Sequence, residues 1–174
     1  MIETAVEAFF EDPVTVWIYP DASVRRPMLT EWYRLTFLTG LRAGHTYTAR
    51  DHKAIAIWAP PSVPQMYDSE SDSRAMADMF RRHLATRARS VFEGLMMIEG
   101  AHPREVPHFY LSLLATAPEM QGKGLASGLL EEVLGRCDTE GWPAYLETSR
   151  EQNVRFYEGR HFQVTGTVDI PDGP

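Results

Sequence analysis

Three observations predict an α/β fold with a mixed sheet. Apolar positions switch along the chain between steps of two and steps of three or four. The resulting order is helices, a strand pair, a helix, then strand–helix–strand–helix–strand. At the centre, from Phe109 to Leu130, an apolar run ends in Pro118 and leads through a glycine-bearing turn into a helical pattern. With 174 residues, 44% hydrophobic and 24% charged, residues 1–174 are expected to form a single domain with a sizeable core.

Each element has a local reason. Glu3 to Glu11 reads as a helix with Val6, Phe9 and Phe10 on its apolar face, ended by Asp12-Pro13. Val14 to Tyr19 is apolar, and Pro20-Asp21 turns the chain. Pro27 is expected to open the next helix at its first turn, with Leu29, Trp32, Tyr33, Phe37 and Leu41 on one face and Gly44 closing it. His45 to Ala49 and Lys53 to Ala59 read as strands around an Asp51-His52 turn, so they form a hairpin. Pro60 to Pro64 is a rigid break, and Met66 to Asp72 is polar and loop-like. Ser73 to about Met96 is one long helix or two shorter ones, packed through Met76, Met79, Phe80, Leu84, Val91 and Phe92.

Gly100 to Pro107 is a loop. Phe109 to Pro118 is a buried strand, and Leu125, Leu129, Leu130, Val133 and Leu134 recur at helical spacing in a helix reaching Glu140. Gly141-Trp142-Pro143 separates this helix from the strand Ala144 to Thr148. Asn153 to Glu158 reads as a helix, and Phe162 to Ile170 alternates as a strand.

Composition narrows the function. There are 24 acidic and 17 basic residues, a net charge of −7, which argues against a general nucleic-acid binder and agrees with a cationic acceptor. Cys137 is the sole cysteine, so no intrachain disulfide forms and a cytoplasmic setting is expected. No run suits a membrane span, and no membrane partner is expected. Histidines at 45, 52, 83, 102, 108 and 161 make no local ligand motif, so no metal is expected.

The turn after Pro118 carries the chemistry. Glycines allow close backbone approach, and the free N–H groups at a helix start favour anions. A nucleotide P-loop fails because Gly124 follows Lys123, and a dinucleotide fingerprint fails at Ser127. What remains is Q-x-x-G-x-A, from Gln121 to Ala126. A second constellation, Leu146-Glu147-Thr148-Ser149 followed by Asn153, Phe156-Tyr157-Glu158 and Phe162, stands further on.

Both motifs, in this order, resemble the GNAT superfamily of N-acyltransferases. Ala54 to Trp58 and the run from Trp142 to Pro174 look most like puromycin N-acetyltransferase and its relatives. The resemblance implies a twisted mixed central sheet flanked by helices, with two parallel strands diverging at an acyl-CoA site. It implies acetyl-CoA as cofactor, and an acetyl group passed to a primary amine of a small molecule by direct attack in a ternary complex. A non-catalytic acyl-CoA-binding module and a protein N-acetyltransferase are the alternatives.

By position, Leu114 and Thr116 would offer backbone groups to the pantetheine arm. Gln121, Gly122, Lys123, Gly124, Leu125 and Ala126 would hold the pyrophosphate. Asn153 would bond the arm or order the last helix. Tyr157 would protonate the leaving thiolate, or else be a core aromatic. Glu147 would deprotonate the amine, or else pin a loop. His108 and Tyr110 are weaker candidates for the acceptor cleft.

Family members usually start with a further strand and continue past the Pro171 segment into another. A chain without them exposes a sheet edge, so a homodimer is expected. His161 stands where members usually carry glycine, which predicts an altered turn.

Overall fold

The computed structural model describes residues 1–43, 45–61 and 70–174. In order they form α1 (Ile2–Phe9), α2 (Pro13–Ile18), α3 (Ala22–Ala43), β1 (Thr46–Ala49), β2 (Ala54–Ala59), α4 (Glu70–Leu84), α5 (Ala88–Ala101), β3 (Phe109–Thr116), α6 (Leu125–Glu140), β4 (Ala144–Tyr145) and α7 (Glu151–Glu158). Short 3-10 turns follow α4 and β3. The four strands form one sheet in the order β1-β2-β3-β4. β1 with β2 and β2 with β3 are antiparallel; β3 with β4 is parallel.

The sheet separates two apolar clusters. On one face Ile55, Ile57, Leu113 and Ala115 meet Val6 of α1, Leu29 and Phe37 of α3, and Met79 of α4. On the other, Ala54, Ala56, Trp58, Phe109 and Leu111 meet Leu129, Leu130, Val133 and Cys137 of α6. β2 is buried along its whole length, which explains its unbroken apolar run. Cys137 packs α6 onto the sheet, and burial pushes its thiol pKa up, away from the nucleophilic thiolate.

β3 contains the bend that divides the clusters. Ile57 opposes Leu113, whereas Trp58 opposes Leu111, so Ser112 is the extra residue of a β-bulge. Ser112 donates its hydroxyl to the Ile57 carbonyl at 3.2 Å. One extra residue reverses the side-chain alternation. Phe109 and Leu111 therefore face α6, while Leu113 and Ala115 face α1 and α3.

Several sequence expectations change. Asp12 does not only end α1; it caps α2, accepting from Val14 N at 3.0 Å, with Pro13 in the first helical position. Pro27 lies inside α3, which starts at Ala22. The reason is Arg25, 3% exposed. Its guanidinium donates to the carbonyls of Tyr19, Phe10 and Pro20 at 2.8, 3.0 and 3.1 Å, and to Glu11 at 3.0 Å. These bonds hold the turn ahead of Pro27, and Asp21 adds a bond from Ser23 N at 2.9 Å.

The Ser73–Met96 region is two helices, and Glu70 to Asp72 already belong to the first. The closing Gly44, residues 62–64 of the proline break and residues 66–69 of the loop lie outside the described residues. β4 stops at Tyr145 rather than Thr148. Phe162 to Ile170, expected as a strand, forms none: among the described residues no strand pairs with it, and Val164 is 60% exposed. Its far end is anchored by Ile170, buried near Trp17 and Gly94. At the turn, His161 adopts φ 68°, and Phe162 N reaches Tyr157 O at 3.2 Å.

Arg25 generates the first prediction. Arg25→Met keeps the apolar stem and leaves several inward carbonyls without donors, so stability should fall by about 3 kcal/mol. Urea unfolding followed by circular dichroism measures it. An unchanged midpoint would remove the clamp from the account.

Candidate active site

β3 and β4 run together for only two matched pairs, Phe109 with Ala144 and Tyr110 with Tyr145. Phe109 N donates to Pro143 O at 2.9 Å, just ahead of the ladder. Beyond Tyr145 the chain leaves the sheet, and among the described residues no strand pairs with that edge of β3 as it continues. Ala117 N donates to Lys53 O at 2.8 Å. Bonded residues alternate along an antiparallel ladder, so Leu113 and Ala115 also bond toward β2. Leu114 and Thr116 therefore turn their backbone groups away from β2, toward the gap.

The Gln121–Ala126 turn closes one end of that gap. Gly122 and Gly124 hold φ values of 72° and 79°, and Gly124 is the N-cap of α6. A side chain lasts poorly in that left-handed conformation, which is why both positions need glycine. The first bond into α6 runs from Gly128 N to Gly124 O at 3.0 Å. The N–H groups of residues 122–127 find no acceptor among the described residues. A Cβ added at Gly122 or Gly124 would meet nothing within 4 Å. A run of unpaired N–H donors beside open space at a helix N-terminus suits a phosphate group.

The side chains of this turn do less than its backbone. Gln121 donates through Nε2 to Thr116 O at 3.3 Å, tying the turn to the strand end. Lys123 stays exposed, its Nζ 3.4 Å from Met120 Sδ. Leu125 packs against the α6-side cluster, and Ala126 is half-buried in the first helical turn. A cation missed by the sequence reading stands nearby. Arg160 donates to the Ser127 hydroxyl in the first turn of α6 and to Phe156 O at 2.7 Å, with its guanidinium 3.8 Å above the Phe156 ring. A positive charge beside a helix N-terminus is unfavourable until an anion joins it.

Asn153 donates to the Thr148 hydroxyl at 3.2 Å. This bond joins α7 to the segment that leaves β4. Tyr157, on α7, packs against the α6-side cluster and touches Phe156 and Phe162, with ring centroids 5.2 and 5.8 Å away. Burial pushes its hydroxyl pKa up to about 12, against the opposing charge of Arg160, so it carries its proton at neutral pH.

Glu147 lies two residues past the end of β4, not on the strand. It still meets Tyr145, but Ser149 parts from both and donates to Asp12 at 2.6 Å. Phe109, Ala144 and Leu146 face α6. The alternating residues Tyr110, Tyr145 and Glu147 therefore gather on the opposite face. Tyr157 and Glu147 thus approach the gap from opposite sides of the sheet.

A polar cluster surrounds Glu147. The hydroxyls of Tyr110 and Tyr145 lie near its carboxylate, and that of Tyr145 donates to Ala101 O at 3.5 Å. His102 Nδ1 lies 3.4 Å from Oε1. Burial raises the Glu147 pKa and the Glu99 charge adds to this, while the two nearby tyrosine hydroxyls oppose it. Burial of this kind makes the carboxyl a stronger proton acceptor than an exposed one. His108 lies just before β3 and touches His102 rather than Glu147. His102 was not singled out, because it sits six residues from His108 across a proline-containing turn and makes no ligand spacing with it.

Residues 14–162 match the model of the acetyltransferase (GNAT) family. An uncharacterized N-acetyltransferase of Schizosaccharomyces pombe is 29% identical over 168 residues, covering 91% of this chain and 67% of that protein. Among solved structures, one described as histone acetyltransferase HPA2 and related acetyltransferase from Corynebacterium glutamicum superposes with a TM-score of 0.67 at 21% identity. That match covers 99% of this chain and 83% of the other, and it shows the fold.

The cradle generates the second prediction. Gly124→Val places a β-branched side chain at φ 79°, costing about 1–2 kcal/mol of stability, and projects it into the open space. CoA affinity should fall at least about tenfold, equivalent to about 1.4 kcal/mol. Calorimetric titration alongside a thermal melt checks this; wild-type affinity in a folded variant would take the turn out of the site.

Proposed function

The chain belongs to the acetyltransferase (GNAT) family, and from that premise we propose that it transfers acetyl from acetyl-CoA to a primary amine of a small molecule. The observation that carries this reading is the unpaired N–H run of residues 122–127 beside an uncovered strand edge. The two features fit opposite ends of one ligand, a phosphate end and an amide-bearing arm. Gly122 to Ala126 would hold the pyrophosphate through backbone N–H groups, with Arg160 adding charge. Leu114 and Thr116 would bond the arm. Acetyl-CoA, when bound, supplies an acetyl group activated as a thioester.

The chain's own residues then have distinct tasks. Glu147 accepts the proton that the acceptor ammonium must lose before it becomes a nucleophile. Tyr110 and Tyr145 place polar hydroxyls beside that carboxylate and favour its ionised form. N–H groups on the uncovered edge of β3 stabilise negative charge developing on a carbonyl oxygen. Tyr157 retains its proton until a thiolate leaves, then donates it. Cys137 is buried in α6, away from the gap, so attack by the amine is direct rather than through an acyl-cysteine. Holding amine and donor together supplies much of the acceleration.

The test is steady-state thiol release from acetyl-CoA across a panel of small amines and peptides. Turnover with small amines is expected. Turnover confined to peptides would move the reading to protein acetylation, and tight CoA binding without turnover would move it to a binding module. Tyr157→Phe keeps the ring and deletes the hydroxyl, so kcat should fall about 10²-fold with CoA affinity nearly unchanged. An unchanged kcat, with chemistry rate-limiting, would remove the proton-donor role.

A further inference from the structure

Behind Glu147 stand two imidazoles that the acetyl-transfer reading does not use. His102 is 4% exposed and His108 is 9% exposed. His108 Nδ1 lies 2.7 Å from Val106 O, and His108 Nε2 lies 2.9 Å from His102 Nε2. The opposite nitrogen of His102, Nδ1, faces Glu147 Oε1 at 3.4 Å.

The partners dictate where the protons sit. A carbonyl oxygen only accepts, so His108 Nδ1 carries hydrogen. A neutral His108 then has a bare Nε2, which accepts from His102. His102 must therefore donate through Nε2–H, and its Nδ1 is left as an acceptor toward Glu147. The desolvated surroundings of His102, the neighbouring His108 and the charge of Arg104 hold its pKa down to about 4, so it is neutral at pH 7. Tyr110 and Tyr145 add edge-on ring contacts to His102, at 4.7 and 4.9 Å between centroids, and prevent a ring flip without repacking.

The geometry points to His102 and His108 as a positioning pair: the Val106 carbonyl locks their tautomers, and the lock makes Glu147 a stronger proton acceptor. An acceptor nitrogen beside a carboxyl bonds to its protonated form and faces its ionised form with a lone pair. It therefore raises proton affinity. Among the described residues, the groups facing this assembly include Glu99 and Arg104 from the end of α5 and the turn after it, Tyr110 from β3 and Tyr145 from β4. Glu99 acts in the same direction as the lock, and the two tyrosines act against it. The inference rests on Glu147 being the proton acceptor, but its central claim concerns where protons sit.

The test is spectroscopic and uses the whole chain. Long-range ¹H–¹⁵N correlation at pH 7 should show His108 protonated at Nδ1 alone and His102 at Nε2 alone. His102 carrying hydrogen on Nδ1 would overturn the inference. In a second arm, the Glu147 carboxyl carbon is titrated in the unaltered protein and in His108→Phe. Without His108, His102 can turn an N–H toward the carboxylate, so the Glu147 midpoint should fall by about one pH unit. An unmoved midpoint in a folded variant would also overturn it. If His108→Phe does not fold, the tautomer measurement on the unaltered protein decides alone. Full turnover in Glu147→Gln would instead overturn the proton-acceptor role, while the tautomers and the titration still judge the lock.

Discussion

The parallel ladder between β3 and β4 is two pairs long, and the site depends on its brevity. A longer ladder would satisfy the edge of β3 with protein groups. Here the pairing ends at Tyr110 and Tyr145, and the backbone of Leu114 and Thr116 is left facing a gap. Such an edge is costly unless covered. What keeps β4 from continuing is built elsewhere. Ser149 and Arg150 bond to Asp12 at 2.6 and 3.4 Å, and Arg150 reaches Glu11 O at 2.6 Å. The exit from β4 is thus pulled toward the α1–α2 junction and away from β3.

That junction is itself held by Arg25, whose guanidinium collects the carbonyls at the ends of α1 and α2. One buried cation therefore fixes the helices that anchor the diverging strand. Asp12 links the two networks: one carboxylate oxygen caps α2 and the other receives Ser149. Burying charged groups is tolerated here because each is saturated with hydrogen bonds.

The bulge at Ser112 solves a different problem. Without it, Phe109, Leu111, Leu113 and Ala115 would all face one side of the sheet. With it, the start of β3 packs on α6 and the end packs on α1 and α3. The same shift puts Tyr110 beside Tyr145 and Glu147, opposite α6. Proton acceptor and proton donor can therefore approach the gap from two faces, each supported by its own helices.

Much of this was legible in the sequence wherever short-range chemistry decides. Helical spacing in Leu125–Glu140, the buried Ala54–Ala59 strand and the left-handed glycines of the Gln121–Ala126 turn follow from neighbours along the chain. The resemblance of that turn and of the Tyr157 segment led to the family and to most of the candidate site. The failures share one cause. The early start of α3 depends on Arg25 bonding residues up to fifteen positions away. Whether Phe162–Ile170 becomes a strand depends on a neighbour to pair with, and among the described residues it has none, which alternation cannot report. The bulge gives the same alternating burial string as a regular strand, so periodicity is blind to it. The carboxylate of Glu147 is visible in the sequence, yet the burial that raises its proton affinity, and the approach of Tyr110 and His102, come from other elements. Local propensities therefore fixed which segments were helix and strand, while proton affinity and the open edge emerged only when distant side chains shared one desolvated space.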